Sequence, residues 1–322
     1  MGKETHSKER FSSPLNLAKL AKTRIFGTPS EPLFNDAFGL PPSLLEDSLQ
    51  TLAEINERNM DNADKDMGYF KNAKCAEYIF NLCDALTLPV EARYLAVEIY
   101  DRFMIKHIVG LYQFIQTSSG MDKQKDWNEV ENRIKVQMPL RLLSCVQLAS
   151  KLSSHCKALS ASKVRRYLSS MNHHFSNNSI LKSELRILKT LDHCLPVHTP
   201  LTYIETLLEI LGFNAGTQVK FLYEISIKLL DLVYILHEEI YTKLLLVATG
   251  ETRRSAEHRH KLAVLSSDFM LMASAVISAA GFIVDEQASD GIASHLSNIT
   301  QIPEADILDF ATIVVERAIQ DQ

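Results

Sequence analysis

The stretch that decides the fold is RLLSCVQLASKL, residues 141–152. It is apolar on nearly every side, which is typical of a helix buried at the centre of a bundle. Its polar residues recur every three or four positions and form one stripe along the helix, namely Arg141, Ser144, Gln147 and Lys151. Lys151 closes this stripe. It is either a lysine that extends to solvent from the edge of the core, or one half of a charged site.

A second charged residue lies in an apolar setting in SILKSELRILKTLDHCL, residues 179–195. On a helix with about 100° per residue, Glu184 lies at the centre of the apolar face. The apolar residues within about 60° of it are Ile180, Leu181, Ile187, Leu188, Leu191 and Leu195. A carboxylate in such a place requires a partner, and Lys151 is the candidate. The pair is either an internal salt bridge or part of a site with an external role.

Helical spacing dominates the chain from residue 41 onward, and no stretch shows the sustained alternation of a half-buried strand. Helix starts are predicted at Pro89, at Pro139 and at Thr199-Pro200, and the last of these helices is predicted to end at Gly212. The sequence therefore predicts an all-α protein with short connections.

Three polar segments depart from this pattern. Residues 1–40 predict a flexible N-terminal arm, and residues 116–133 and 249–261 predict exposed loops. The segment 116–133 carries the only tryptophan, Trp127. Its side chain is either an exposed anchor for a protein partner or a ring that folds back and pins the loop.

Composition and charge narrow the class of protein. The 322 residues are 46% hydrophobic and 23% charged, a globular balance, and the net charge is -5. An acidic balance argues against direct binding of nucleic acid through a broad basic face. The N-terminus lacks the apolar region of a signal peptide, and the longest apolar run, 269–284, is short for a membrane span. We expect an intracellular protein with no membrane partner.

The sequence patterns of common catalytic and cofactor sites are missing. There is no Gly-rich phosphate loop, no kinase HRD or DFG, no GxSxG and no HExxH. The pairs His173-His174 and His258/His260 lack cysteine or carboxylate partners at zinc-site spacing. Five cysteines without a CxxC pair are expected as reduced, buried thiols. We expect no metal, no cofactor and no catalytic residue, and hence no enzyme.

The ordered set of helices resembles the cyclin box. LAVEIYDRFM (95–104) resembles its second helix, LLSCVQLASKL (142–152) its central third helix, and SELRILKTLDHCLPVHTP (183–200) its fifth helix and the turn that follows. The apolar stretch DFMLMASAVISAAGFIV resembles the central helix of a diverged second box. The resemblance implies an all-α, cyclin-like fold of two five-helix repeats. Its implied parts are the arm 1–40, an N-terminal cyclin box with its preceding helix over 41–212, and a C-terminal repeat over 213–322.

The resemblance also implies a function. In cyclins the lysine of the third helix and the glutamate of the fifth contact a partner kinase, which assigns Lys151 and Glu184 to a kinase interface. The chain is most similar to the cyclin N-terminal-domain-containing branch, which is associated with meiotic crossover formation. The expected partners are a cyclin-dependent kinase and meiotic recombination proteins. The expected location is the nucleus, in association with chromosomes, together with a cytoplasmic pool.

The first helix of the box departs from the family pattern. Asn72 stands where cyclins carry arginine, Lys74 and Cys75 replace an aliphatic pair, and Tyr78 replaces tryptophan. These changes argue against a hydrophobic groove for short docking peptides. Three classes stay open: a kinase-binding cyclin, a cyclin-fold scaffold that activates no kinase, and a DNA-binding cyclin-box factor. The acidic balance disfavours the third, although residues 253–261 are basic.

Overall fold

The computed structural model describes residues 41–117, 123–154, 156–215, 219–250 and 256–320, and the predicted N-terminal arm lies outside them. Over these ranges the chain forms thirteen helices and no strand, which confirms the all-α prediction. The helices are α1 (Pro42–Asp61), α2 (Ala73–Ala85), α3 (Val90–Thr117), α4 (Lys123–Ser153), α5 (Ala161–Ser170), α6 (Asn177–Thr190), α7 (Pro200–Ala215), α8 (Val219–Ile235), α9 (His237–Thr249), α10 (Ala256–Ser267), α11 (Phe269–Val284), α12 (Glu286–Thr300) and α13 (Glu304–Gln320).

Several helices begin where a polar side chain caps the first turn. The side chains of Asn72, Ser160, Ser176 and Asp268 each accept a hydrogen bond from the backbone N–H three residues further on. Such caps satisfy donors that a helix leaves without a partner, and each is worth about 1 kcal/mol. Asn72, which stands where cyclins carry arginine, is thus the residue that starts α2.

The first five-helix group, α2 to α6, is built around α4. Every residue of α4 from Leu140 to Ser150 is buried, and α2, α3, α5 and α6 all pack against this helix. The quoted stretch is therefore the central helix of the group, as its all-round apolar character predicts.

Two boundary predictions in this group are wrong. Pro139 lies inside α4 and does not begin it, and most of the predicted loop 116–133 is helical from Lys123 onward. Proline removes one backbone hydrogen bond from a helix interior, at a cost of about 3 kcal/mol. Here α4 pairs over much of its length with α3, and Tyr100 donates a hydrogen bond to the sulfur of Met138 beside the proline. These contacts hold the helix together through Pro139.

The second group surrounds α11, whose residues from Phe269 to Gly281 are all buried. The helices that pack against α11 include α7, α8, α12 and α13, so the chain repeats the arrangement of four helices around a buried fifth. Two predicted ends differ from the structure: α7 continues to Ala215, beyond Gly212, and the predicted loop 249–261 is helical from Ala256. The division of the chain at residue 212 stays a prediction.

The N-terminal helix α1 lies against the second group, although it precedes the first. It packs on α7, α10 and α11. The side chain of Asn56 donates to Asp268 Oδ1 at 2.8 Å and accepts from the backbone N–H of Phe269, also at 2.8 Å. One amide side chain thereby ties α1 to the start of the central helix α11.

A buried ion pair joins the two groups. Lys71, just before α2, lies 2.6 Å from Glu98 of α3, and their side chains are only 7% and 3% exposed. Tyr234 of α8 donates its hydroxyl hydrogen to the same carboxylate at 3.0 Å. The Lys71 ammonium also lies 5.9 Å from the ring centre of Phe269 in α11. The first group thus supplies both charges, and the second group completes their surroundings.

The segment before α2 is held by a second carboxylate of α3. Asp101, in the Asp-Arg-Phe signature, accepts hydrogen bonds of 2.8 Å from the backbone N–H groups of Gly68 and Phe70. Gly68 has a φ of +84°, and a Cβ there would lie 3.1 Å from Cε1 of the buried His237. The backbone angle therefore favours glycine, and a larger residue would also require His237 to shift slightly.

Replacing Lys71 with methionine is expected to lower the free energy of unfolding by about 3–5 kcal/mol, because Glu98 would stay buried without its counter-charge. The double variant Lys71→Met, Glu98→Gln should recover much of this loss, since glutamine still accepts from Tyr234. Urea denaturation measures both. The exposed pair Lys261–Glu257 is the control, and Lys261→Met should cost less than about 1 kcal/mol. Equal losses for Lys71→Met and Lys261→Met would contradict the role given to the buried pair.

His237 predicts a loss of stability in acid. Burial, and then the charge of Lys71, lower the pKa of His237 to about 3. The unfolded chain has a histidine pKa near 6.5, so it binds the proton more tightly than the folded chain does. Stability should fall as the pH drops below about 6.5, by about 1.4 kcal/mol per pH unit from this residue. Denaturation curves of His237→Phe should show a weaker pH dependence, whereas His295→Phe, at an exposed position, should behave as the parent does.

Candidate functional site

The structure brings together the two charged residues that the sequence singled out. Lys151 lies in the last turn of α4, and its Nζ donates to Oε1 of Glu184 in the middle of α6. The Lys151 side chain is 41% exposed, whereas that of Glu184 is 11% exposed. The inferred contact between the two is therefore confirmed. Their assignment to a kinase interface stays a prediction.

Local structure explains why this pair forms at the surface. A cation in the last turn of α4 also lies close to the negative end of the helix dipole. On α6, Ile180 and Ile187 are fully buried one turn to either side of Glu184, so its carboxylate emerges at the edge of the core. The long stem of Lys151 spans from the end of α4 to that edge.

Exposed leucines lie next to the two charged residues along α4 and α6. Leu152 follows the lysine, and Leu181 and Leu185 lie beside the glutamate on α6. We call these three leucines, with Lys151 and Glu184, the ion-pair surface. The helical wheel placed Leu181 on the buried face, but about half of its side chain is exposed. Exposed apolar area beside charged side chains is a composition that occurs at protein-binding surfaces.

Trp127 does not lie in a loop. It is part of α4, is half-buried, and its ring contacts Tyr112 of α3 edge to face, with ring centres 5.6 Å apart. Beyond the box, α3 and α4 continue side by side as a two-helix hairpin, residues 105–117 and 123–139. The ring therefore packs across the hairpin, as the pinning alternative predicts. The role of Trp127 as an anchor for a partner stays a prediction.

The hairpin also carries apolar side chains that the sequence analysis missed. Val109, Tyr112, Phe114 and Val136 all have large exposed fractions. They flank the polar segment 116–133, in stretches that the sequence analysis did not assign to an exposed hairpin. Only the helical pairing of α3 with α4 shows which positions face solvent.

The altered first helix presents a mixed surface. Lys74 is exposed, Cys75 is half-buried, and the Tyr78 hydroxyl donates to the sulfur of Met171 at 3.7 Å. The tyrosine thus ties α2 to the connection between α5 and α6. The absence of docking-peptide binding, expected from these residues, stays a prediction.

The cysteines differ in burial. No disulfide joins the five cysteines, all of which lie within the described residues, but Cys156 and Cys194 are exposed, so the prediction of buried thiols is wrong for these two. They lie in connections after α4 and α6, outside the apolar faces of those helices.

Within the described ranges, no single helix has the length and hydropathy to span a membrane. The pair 257–267 and 269–284 reaches that length and hydropathy only when taken together, and the two helices are bent by 65°.

Similarity to known proteins agrees with this geometry. Residues 47–196 match the family described as the cyclin N-terminal domain, which places the first group of helices in the cyclin-box class. Over 278 residues the chain is 34% identical to human (Homo sapiens) cyclin N-terminal domain-containing protein 1, covering 85% of this chain and 84% of that protein. The mouse (Mus musculus) protein of the same name is 34% identical over 281 residues, with coverages of 85% and 83%. The chain belongs to the cyclin family, in the branch of cyclin N-terminal domain-containing protein 1.

Truncating Trp127 to alanine should loosen the hairpin and leave the box intact, because the ring contacts Tyr112 across the two helices. We expect amide hydrogen exchange to become at least about tenfold faster in 105–117 and 123–139, with little change around α11. Mass spectrometry of exchanged peptides measures both regions. Val136→Ala, at an exposed position of the same helix, is the control. Unchanged exchange in the Trp127→Ala hairpin would show that the ring contributes nothing to holding it.

Proposed function

We propose that this chain is a noncatalytic regulatory protein that binds a cyclin-dependent kinase through the ion-pair surface. The observation that carries the proposal is the Lys151–Glu184 pair, which lies at the surface of a cyclin box and is bordered by exposed leucines. In the cyclin mechanism the box packs on a mobile helix of the kinase and orders its active site. Buried apolar area would supply the affinity, and the charged pair would fix the register.

The proposed setting is meiotic crossover formation. Its support is the family branch to which the chain belongs. The proposed location is accordingly the nucleus, on chromosomes, with a cytoplasmic pool. Meiotic recombination proteins are the proposed further partners.

The alternative is a cyclin-fold scaffold that binds proteins without activating a kinase. One observation favours it: the charge of Glu184 is already matched by Lys151 inside the chain. The exposed lysine on the altered first helix, Lys74, points the same way. The two functions differ in whether the ion-pair surface makes an external contact.

Reversing both charges, Lys151→Glu with Glu184→Lys, separates these functions. The reversed pair can still form inside the chain, so helicity measured by circular dichroism should be kept. A kinase that contacts each of the two charges at a fixed position should bind the reversed variant at least about tenfold more weakly. Pull-down of the full chain with cyclin-dependent kinases, followed by a kinase assay, measures the loss.

The matched control is the exposed pair Glu131–Lys135, also on α4, with its charges reversed in the same way. This variant should bind the kinase as the parent chain does. A folded Lys151/Glu184 double variant with full kinase binding would contradict the role given to the ion-pair surface, whereas a parent chain that binds no kinase would favour the scaffold.

A further inference from the structure

Arg141 is a buried cation whose partners are all neutral. Only 6% of the residue is exposed. Its guanidinium donates to Ser183 Oγ at 2.6 Å and to Gln137 Oε1 at 2.8 Å. No carboxylate of the described residues pairs with it. A buried charge without a counter-charge is costly, so the surroundings of Arg141 are incomplete in the chain alone.

Two further basic side chains interact electrostatically with Arg141. Arg186 lies one turn beyond Ser183 on α6, and His107 lies on α3, where its ring stacks on Phe103. Burial and then the charge of Arg186 lower the pKa of Arg141 to about 10. Burial, and then Arg141 and Arg186, lower the pKa of His107 to about 4. Arg186 therefore lies within one helical turn of the Arg141–Ser183 hydrogen bond, whereas His107 adds no positive charge at neutral pH.

The acidic groups near this place are occupied elsewhere. Asp192, just beyond α6, pairs with Lys106 at 3.1 Å, and Glu184 pairs with Lys151. Residues 151–190 carry eight lysines and arginines but only one carboxylate, Glu184, in a chain whose net charge is -5. The exposed cations of α6 follow one stripe at i, i+4 and i+7, namely Lys182, Arg186 and Lys189. The approach to Arg141 is thus positively charged.

We propose that Arg141 and Arg186 form a binding site for a phosphate dianion at the junction of α4 and α6. Two guanidinium groups supply planar pairs of donors and two positive charges, which match a tetrahedral dianion better than a single carboxylate. The half-buried amide of Gln137 occupies the guanidinium edge that a phosphate oxygen takes on binding. The phosphate is either free or carried by a phosphorylated side chain.

Titration calorimetry of the full chain tests the site, with inorganic phosphate and with doubly blocked phosphoserine as probes in a buffer of low ionic strength. We expect saturable binding at one site. Arg186→Ala should weaken it at least about tenfold, because a bidentate charged contact is lost. Lys182→Ala removes the same charge from the same helix and should weaken binding less than about twofold. No saturable binding, or equal weakening by both variants, would overturn the proposal.

A variant of Gln137 tests the role of the missing counter-charge. Gln137→Glu places a carboxylate against Arg141, so phosphate binding should be lost while the melting temperature rises. Unchanged phosphate binding in this variant would contradict the proposed position. Tighter binding of blocked phosphoserine than of inorganic phosphate would assign the site to a phosphorylated side chain, and the reverse order to free phosphate. Acetate is a singly charged carboxylate. If it binds as tightly as phosphate, the proposed selectivity for a phosphate dianion is wrong.

Discussion

The arrangement of the whole chain depends on one buried ion pair. Lys71 and Glu98 lie within the first group of helices, yet Tyr234 of α8 and Phe269 of α11 complete their surroundings. A buried pair of charges tolerates few geometries, because a shift of either partner leaves a charge in an apolar interior. The two groups are therefore held in one orientation relative to each other. Hydrophobic burial alone would allow sliding, since it has no direction.

The proposed binding surfaces both lie on the first group, where charge is unevenly distributed. Near α6 the carboxylates of Glu184 and Asp192 are engaged in ion pairs, while exposed cations lie along α5 and α6. The ion-pair surface and the cluster around Arg141 both use α4 and α6, which cross at Ser144 and Ser183. A buried central helix with one polar stripe can therefore supply two chemically different surfaces, one at its end and one along its length.

The helical spacing of apolar residues predicted the features that depend on residues close together in the sequence. The burial of residues 140–150 and the meeting of Lys151 with Glu184 follow from helical spacing. The continuation of α4 through Pro139 could not be predicted, because the helix that supports it lies earlier in the chain. Lys71 likewise has the features of a solvent-exposed lysine until Glu98 and a tyrosine of the second group are placed beside it. The sequence alone does not show which residues of other helices lie beside a given side chain.

The α3–α4 hairpin has a mechanical consequence. Both of its helices continue without a break from the core of the box, although Pro139 removes one backbone hydrogen bond from α4 at its base, so bending it deforms two paired helices at once. Its thirteen residues on α3, 105–117, extend it by about 20 Å at 1.5 Å per residue. The hairpin is therefore stiff. A force applied at its far end, residues 117 and 123, reaches the core of the box through α3 and α4.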